Sequence, residues 1–477
     1  MNVTLPAILD PFARGAAATV MTRMALEWLI DEPTFEALFQ QATEAQYTRE
    51  LTLTHLVNIM LDVASGTRPS PRAAFRARWE QIRVSEAAFY GKLQRMEPPI
   101  AAAVIRHTAT QARAVIAAAE GLRDEPIPGY HARVLDGNAL AGTEHRIQPL
   151  RGLRAAGLPG KSLAIYEPVS GIIEDVILCE DAYTQERALL DRVEVRPGQL
   201  WIADRNFCVR WFLRDIERRG ASFLIRRHQK DLPFTPLGKL VRVGRCATGE
   251  VFEHRIRVGD PEGGEPQLMR RVVLRLDTPT REDKTEIELV TNLPADVSAI
   301  LICETYRDRW RIEGHFQRLT DLLHCEVPAL SYPRAALFAF AMAVVAGNAV
   351  ALLEGNLRAV HGAEEVEALS HYALVDEIAH TYRGMMIALP PETWSFVRAY
   401  DAVTLAGALK EVAAHVRVYW MHKTTRGPKK ARTVERKSDG GSPHVSTRRL
   451  LDQGASRRSP PSHSPKKAVS SKSGGSQ

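Results

Sequence analysis

Leu200-Trp201-Ile202-Ala203-Asp204 is an apolar run closed by a carboxylate, and how it is read decides the fold. Such a short run, with Trp and Ile in it, fits a strand buried on both faces, as in a parallel sheet. Downstream, Cys208 to Arg219 has helical spacing and Ser222 to Arg227 reads as a further strand. Upstream, Tyr183 to Val193 is helical. Ser162 to Val169 and Gly171 to Cys179 are β-favouring runs joined at Ser170-Gly171, a hairpin signal. Earlier still, Arg133-Val134-Leu135-Asp136 is a short strand ending in Gly137-Asn138. The order is β, β-hairpin, α, β, α, β.

An antiparallel trio followed by parallel strands with crossover helices describes an α/β ribonuclease-H-like catalytic core, begun by residues 130–227. Asp136 and Asp204 then stand in equivalent places at the ends of neighbouring strands, where sites form. Taken singly, Asp136-Gly137 reads equally as a turn and Asp204 as a helix N-cap.

A third carboxylate comes from Ser298 to Leu323, read as one long helix containing Tyr306-Arg307-Asp308-Arg309-Trp310-Arg311-Ile312-Glu313. Tyr306, Arg309 and Glu313 are spaced i, i+3, i+7 and project from one side. Arg309 and Glu313 can touch, and alone they would be an exposed ion pair on an amphipathic helix. Jointly, Asp136, Asp204 and Glu313 would bind Mg²⁺ or Mn²⁺ through hard oxygens. Two ions about 3.5–4 Å apart suit in-line phosphoryl displacement, with Arg309 taking a phosphate oxygen bidentately.

The chain has 477 residues, 45% hydrophobic, enough for a sizeable core and several domains. Its formal charge of +7 invites a nucleic-acid reading. Met421 to Gln477 holds 14 Lys or Arg against 3 Asp or Glu, a net of +11, so the rest is near −4. The body must therefore meet DNA through local patches. Cys179, Cys208, Cys246, Cys303 and Cys325 are scattered and form no Cys-x-x-Cys pair, as expected of reduced thiols in a cytoplasm. The N-terminus has no signal-peptide pattern. Ala335 to Leu353 is apolar enough to imitate a membrane span, but with no second span a buried core helix is expected. Internal repeats, a Gly-rich phosphate loop and a Ser-His-Asp pattern are not found.

Residues 1–125 read as a helical domain: Met21 to Ile30, Glu36 to Ala45, Leu53 to Ala64, Pro71 to Ile82, Glu86 to Met96 and Ala101 to Ala118. Pro71 to Met96 fits either a helix-turn-helix or a plain helical hairpin. Ser85 would cap a second helix carrying Tyr90, Lys92, Gln94 and Arg95 towards a DNA groove. Residues 228–295 hold short β-like runs at Val251 to Val258, Gln267 to Leu276 and Thr285 to Val290. Residues 296–355 carry the Glu-bearing and apolar helices, and 356–423 further helices. From about 424 to 477 the chain is Lys, Arg, Ser, Pro and Gly, a disordered basic tail able to track phosphates.

Leu135-Asp136-Gly137-Asn138-Ala139-Leu140 with Thr143-Glu144-His145-Arg146 resembles the first motif of bacterial DDE transposases. Trp201-Ile202-Ala203-Asp204-Arg205-Asn206-Phe207 resembles the second. Thr291-Asn292-Leu293-Pro294 with Tyr306-x2-Arg309-x3-Glu313 resembles the third, in the form Tyr-x2-Arg-x3-Glu-x6-Lys of the insertion-sequence-four family. The resemblance covers roughly 130–350, plus Arg426-Gly427-Pro428-Lys429-Lys430. It implies a ribonuclease-H core with a mostly β insertion and two Mg²⁺ or Mn²⁺ ions on Asp136, Asp204 and Glu313. Tyr306 and Arg309 would hold DNA near the cut, and Lys429 and Lys430 would add phosphate contacts. Partners would be double-stranded DNA, as element ends and target, and a second copy of the chain in a prokaryotic cytoplasm. Thr320 stands where the family has Lys, with Gln317 and His324 as substitutes on that stripe. No Trp lies between Trp211 and Trp310 to stack an extruded base, leaving Phe234 or Phe252. Two alternatives stand beside the transposase: a structure-selective nuclease that cuts without joining, and an inactive DNA-binding copy acting as repressor.

Overall fold

The helical patterns of the N-terminal region fold as α1 (Asp10–Gly15), α2 (Ala17–Leu29), α3 (Glu32–Ala42), α4 (Leu53–Ala64), α5 (Pro71–Ala77), α6 (Trp79–Ile82), α7 (Glu86–Arg95) and α8 (Pro98–Ala118). The computed structural model describes residues 5–46, 50–260, 263–280, 283–424 and 444–456. Within Trp310–Asp321 it describes the backbone but not the side chains of Trp310, Arg311, Glu313, His315, Arg318 and Thr320. Asp31, Thr52, Ser70 and Ser85 each accept a backbone N–H at the start of α3, α4, α5 and α7. Such caps stabilise a helix by about 1 kcal/mol each. The helix expected over Pro71–Ile82 breaks at Arg78, and Arg83, at φ 49°, turns the chain towards α7.

The strands are β1 (His131–Ala139), β2 (Gly157–Leu158), β3 (Lys161–Glu167), β4 (Ile172–Cys179), β5 (Gln199–Ala203), β6 (Ser222–Arg226), β7 (Thr235–Cys246), β8 (Gly249–Val258), β9 (Gln267–Leu276) and β10 (Glu286–Thr291). Nine of them form one sheet in the order β4-β3-β1-β5-β6-β10-β9-β8-β7. β4, β3 and β1 pair antiparallel, while β1, β5 and β6 run parallel. This is the trio-then-parallel arrangement read from the sequence, and it is consistent with a ribonuclease-H-like core. Strands β7–β10 extend the same sheet, with β10 antiparallel beside β6. β7 was not legible in the sequence. Pro236, Gly238 and Gly244 interrupt its alternation, which an edge strand tolerates.

The helices that follow are α9 (Arg210–Arg218), α10 (Ala299–Arg307), α11 (Trp310–Asp321), α12 (Pro333–His361), α13 (Ala363–Ala368), α14 (His371–Ala388) and α15 (Ala402–Ala413). The single helix expected over Ser298–Leu323 is two. Arg309 N–H and Ile312 N–H bond to carbonyls three residues back, a 3-10 turn that separates α10 from α11. α12 is long and apolar enough to cross a bilayer, with a mean hydropathy of 2.2 over its best window, but 94% of that window is buried inside the protein. It joins two apolar clusters, one under the sheet and one among α2, α14 and α15. Its polar Asn348 is fully buried and completes the edge of β4: Oδ1 accepts from Ile173 N at 3.0 Å and Nδ2 donates to Ile173 O at 2.9 Å.

The C-terminal segment departs from the expected disordered tail. Residues 444–456 form β11 (Val445–Ser446), parallel to β2, and α16 (Thr447–Ser456). Arg448 pairs with Glu180 and Arg449 with Asp181, each at 2.9 Å. A basic composition does not prevent order where acidic partners and an open strand edge are supplied. Lys429 and Lys430 lie outside the described residues.

Candidate active site

The parallel ladder between β1 and β5 closes on the pair Leu135–Ala203, and that between β5 and β6 on Ala203–Ile225. The next row holds Asp136, Asp204 and Arg226. Strand alternation puts Leu135, Ala203 and Ile225 in the cluster on one face of the sheet, and Val134, Ile202 and Leu224 in the cluster on the other. Asp136, Asp204 and Arg226 therefore share the face of the second set, the face covered by α10, α11 and α12. The two aspartates stand on neighbouring strands as the sequence predicts, but β1 does not end at Asp136: it continues through Gly137 and Asn138 to Ala139, paired with β3, whereas Asp204 directly follows the last residue of β5.

Each carboxylate is braced by the backbone just beyond it. Gly137 N donates to Asp136 Oδ1 at 3.0 Å, and Asn206 N donates to Asp204 Oδ1 at 2.7 Å. Arg309 Nη1 donates to Asp136 Oδ2 at 3.2 Å. Asp204 and Arg226 make no ion pair among the described residues. Tyr306 is buried, its ring centroid 5.9 Å from the Arg309 guanidinium. Burial pushes its phenol up to about 12, with nearby Asp204 adding to the rise and Arg309 and Arg226 opposing it. Its hydroxyl makes no hydrogen bond of normal geometry among the described residues, although Arg309 is near enough to favour the phenolate. Tyr306 is thus a buried phenol whose hydroxyl has no acceptor among the described residues, close to Arg309, Arg226 and Asp204. Glu313 lies on the first turn of α11, but its side chain is outside the described residues, as is that of Thr320.

The other candidates are placed as follows. Lys92 is turned inward, its ammonium 4.5 Å from the Phe39 ring centroid, and burial lowers its pKa. It does not face a groove as expected, because the second helix of the pair packs that side on its neighbours. Tyr90 is half-buried and Arg95 is exposed. Gln317 bonds Asp321, and His324 lies against Gly66, so neither replaces the missing lysine at the site. His145 pairs with no carboxylate among the described residues; its Nε2 meets Ala155 O at 3.0 Å. Phe234 is flanked by Arg227 and Arg271, and Phe252 by Arg275.

Three residues escaped the sequence reading. Arg226 closes its strand as Asp204 closes its own, a signal that was there to use. Asn206 follows Asp204 by two residues. Glu186 carried no signal.

Fold and site together define a mixed α/β core with Asp136 and Asp204 on neighbouring central strands, Arg226 closing the next strand, and Arg309 reaching Asp136 from the turn between α10 and α11. Residues 129–346 match the family model described as a transposase DDE domain. The match runs from just before β1 into α12 and includes Asp136, Asp204 and Glu313. It supports a transposase role for this chain; that family implies a DNA-cleaving and joining enzyme, generally with divalent metal ions, and DNA as partner. No match was found among the curated proteins.

Proposed function

We propose that this chain is an insertion-sequence transposase of the Tyr-x2-Arg-x3-Glu type. It binds the terminal inverted repeats of its own element, nicks with water to expose 3′-hydroxyls, and joins these to target DNA by transesterification. It works as a homodimer on paired ends, in the cytoplasm at the nucleoid. The observation that carries the reading is the row Asp136–Asp204–Arg226 with Arg309 on Asp136.

The donor set fits a hard divalent cation: two carboxylates side by side on one face, each spending one oxygen on a backbone N–H, with the second oxygen of Asp136 held by Arg309, whose place a cation would take. Asp136 and Asp204 would hold Mg²⁺ or Mn²⁺, with Glu313 as the third carboxylate. Bound there, the ions supply charge to the attacking and leaving oxygens of the phosphodiester. Arg309 and Arg226 bring guanidinium donors to the non-bridging oxygens. Tyr306, kept neutral by burial, donates a hydrogen bond from the core side. Exposed Arg95, with Lys429 and Lys430, would grip DNA away from the cut.

The test uses the purified chain, Mg²⁺ and DNA carrying the repeats that flank its coding region. The expected products are 3′-hydroxyl nicks and joined strands. Asp204→Ala should lose cleavage and keep end binding. Undiminished cleavage by that variant overturns the assignment, and nicking without joined product points to the nuclease.

A further inference from the structure

Glu186 opens the short 3-10 turn Glu186–Arg192, off the row of site residues. It nevertheless touches both residues whose backbone N–H groups brace the two aspartates. Its Oε2 accepts from Asn206 Nδ2 at 2.6 Å. Its Oε1 lies so close over Gly137 that a Cβ there would collide with the carboxylate, so the contact requires glycine. Asn206 Oδ1 in turn faces Arg187 Nη2 at 3.5 Å, and Arg187 Nη1 is tied to Asp231 Oδ2 at 2.9 Å. The amide of Asn206 is thereby fixed in one orientation, with donor towards Glu186 and acceptor towards Arg187.

We infer that Glu186 is a positioning residue that sets the spacing of Asp136 and Asp204 for cation binding. The proposal rests on the reading of those aspartates as a cation site. Gly137 alternates to the opposite face from Asp136, so the Glu186 carboxylate sits behind the row and acts through its neighbours. Pulling Asn206 towards Glu186 keeps the Asn206 N–H on Asp204 Oδ1. Packing on Gly137 holds the N–H that braces Asp136. One side chain thus links β1 to the segment just after β5 at the level of the carboxylates. Residues that orient metal-binding side chains in this way change metal affinity by about 10–100-fold when removed.

The experiment is titration of the full chain with Mn²⁺ alone, without DNA, following the free-ion signal by electron paramagnetic resonance, beside thermal unfolding. Asp204→Ala should abolish the site. Glu186→Ala should weaken binding about 10-fold. Glu186→Gln should stay within about threefold of the parent, because its amide oxygen still accepts from Asn206. Asn206→Ala should match Glu186→Ala, and the double variant should be no weaker than either, since both remove one link. A merely structural Glu186 would lower the unfolding temperature and leave the Mn²⁺ affinity of the folded protein alone. Binding by Glu186→Ala within twofold of the parent overturns the proposal; if that variant does not fold, Asn206→Ala decides by the same criterion. A parent chain that binds no Mn²⁺, or Asp204→Ala binding as the parent does, overturns the cation site itself and the positioning role with it.

Discussion

Arg309 reaches back 173 residues along the chain to place Nη1 3.2 Å from Asp136 Oδ2, with both side chains largely buried. A guanidinium on a buried carboxylate supplies the charge a divalent cation would supply, so the two should substitute for one another. Removing one partner of such a pair leaves a charge uncompensated, at a cost of about 3 kcal/mol. Arg309→Ala should therefore lower the unfolding temperature, and added Mn²⁺ should restore more of it in the variant than it adds to the parent. Arg309→Lys should recover stability and leave DNA cleavage reduced about tenfold or more, because an ammonium cannot make the paired donation. Equal Mn²⁺ shifts in variant and parent would show that the ion and Arg309 do not share Asp136.

Arg226 stands beside Asp204 in the row and pairs with no carboxylate among the described residues. A cation left unneutralised next to a carboxylate site suits a phosphate oxygen as the charge of the reaction develops. Arg226→Ala should cut the cleavage rate by about 100-fold, and repeat-DNA affinity by less than about threefold, since most affinity comes from contacts elsewhere. Gel-shift and cleavage assays on one DNA separate the two effects. Equal losses of binding and rate would make Arg226 an ordinary phosphate contact.

The catalytic-core strands were legible because each carries its own signal: alternation or apolar runs, with Ser170-Gly171 turning the hairpin and Asp204 following β5, although Gly137-Asn138, which read as the end of β1, continue it to Ala139. The neighbouring positions of Asp136 and Asp204 followed from strand order alone. What was lost depended on contacts between distant segments. The break between Tyr306 and Trp310 replaces two α-type hydrogen bonds by shorter-range ones without any Pro or Gly to announce it. The docking of Arg448 and Arg449 needs Glu180 and Asp181, far back in the chain, and a basic composition pointed the other way. Lys92 looked like a groove contact by residue type, yet Phe39 covers it. Glu186 is defined only by Gly137 and Asn206, which its own neighbourhood in sequence does not mention.

Asn348 gives a stability prediction that is independent of the site. Its side chain satisfies both backbone groups of Ile173 on the outermost strand β4, inside an apolar helix. Replacement by Leu keeps the apolar character of α12 and strands one buried N–H and one buried C=O. Each unsatisfied group costs about 1–3 kcal/mol. Asn348→Leu should lower the denaturation midpoint accordingly, and Asn348→Asp should do no better at neutral pH, because its carboxylate would be buried without a counter-charge and would face Ile173 O oxygen to oxygen. A Leu variant as stable as the parent would mean that the edge is satisfied in another way.

Acid should loosen the N-terminal helices. Burial lowers the pKa of His107, with Asp31 opposing, and of His55, whose Nδ1 meets the Thr52 hydroxyl at 3.0 Å at the start of α4. The folded state holds both rings neutral below their ordinary value of 6.5, so the unfolded chain takes up protons first as the pH falls. Their contribution is fully present above pH 6.5 and is lost progressively below it. The unfolding temperature should fall between pH 7 and pH 5, and the double variant His55→Gln, His107→Gln should show a shallower fall. An unchanged slope would place the acid sensitivity in other groups.

The C-terminal strap should come away by two routes that add. Burial alone would raise the carboxyl of Asp181, but hydrogen bonds from Tyr183 N, Ser446 Oγ and Arg449 outweigh it and hold the carboxyl below its ordinary range. A depressed carboxyl contributes stability above its unfolded value and loses it as the pH falls through the folded one, so the strap loosens in acid below about pH 4. Salt acts separately, by screening the half-exposed Arg448–Glu180 and Arg449–Asp181 pairs, each worth at most about 1 kcal/mol. Thr447 is fully buried and β11 is hydrogen-bonded to β2, so neither route alone should release the segment at neutral pH. Amide exchange at 445–449 should quicken modestly in 0.5 M salt (about threefold) and by about tenfold in Asp181→Ala, which removes Ser446 and Arg449 together. Exchange as slow in Asp181→Ala as in the parent would mean that the strand pairing holds the strap without its ionic contacts.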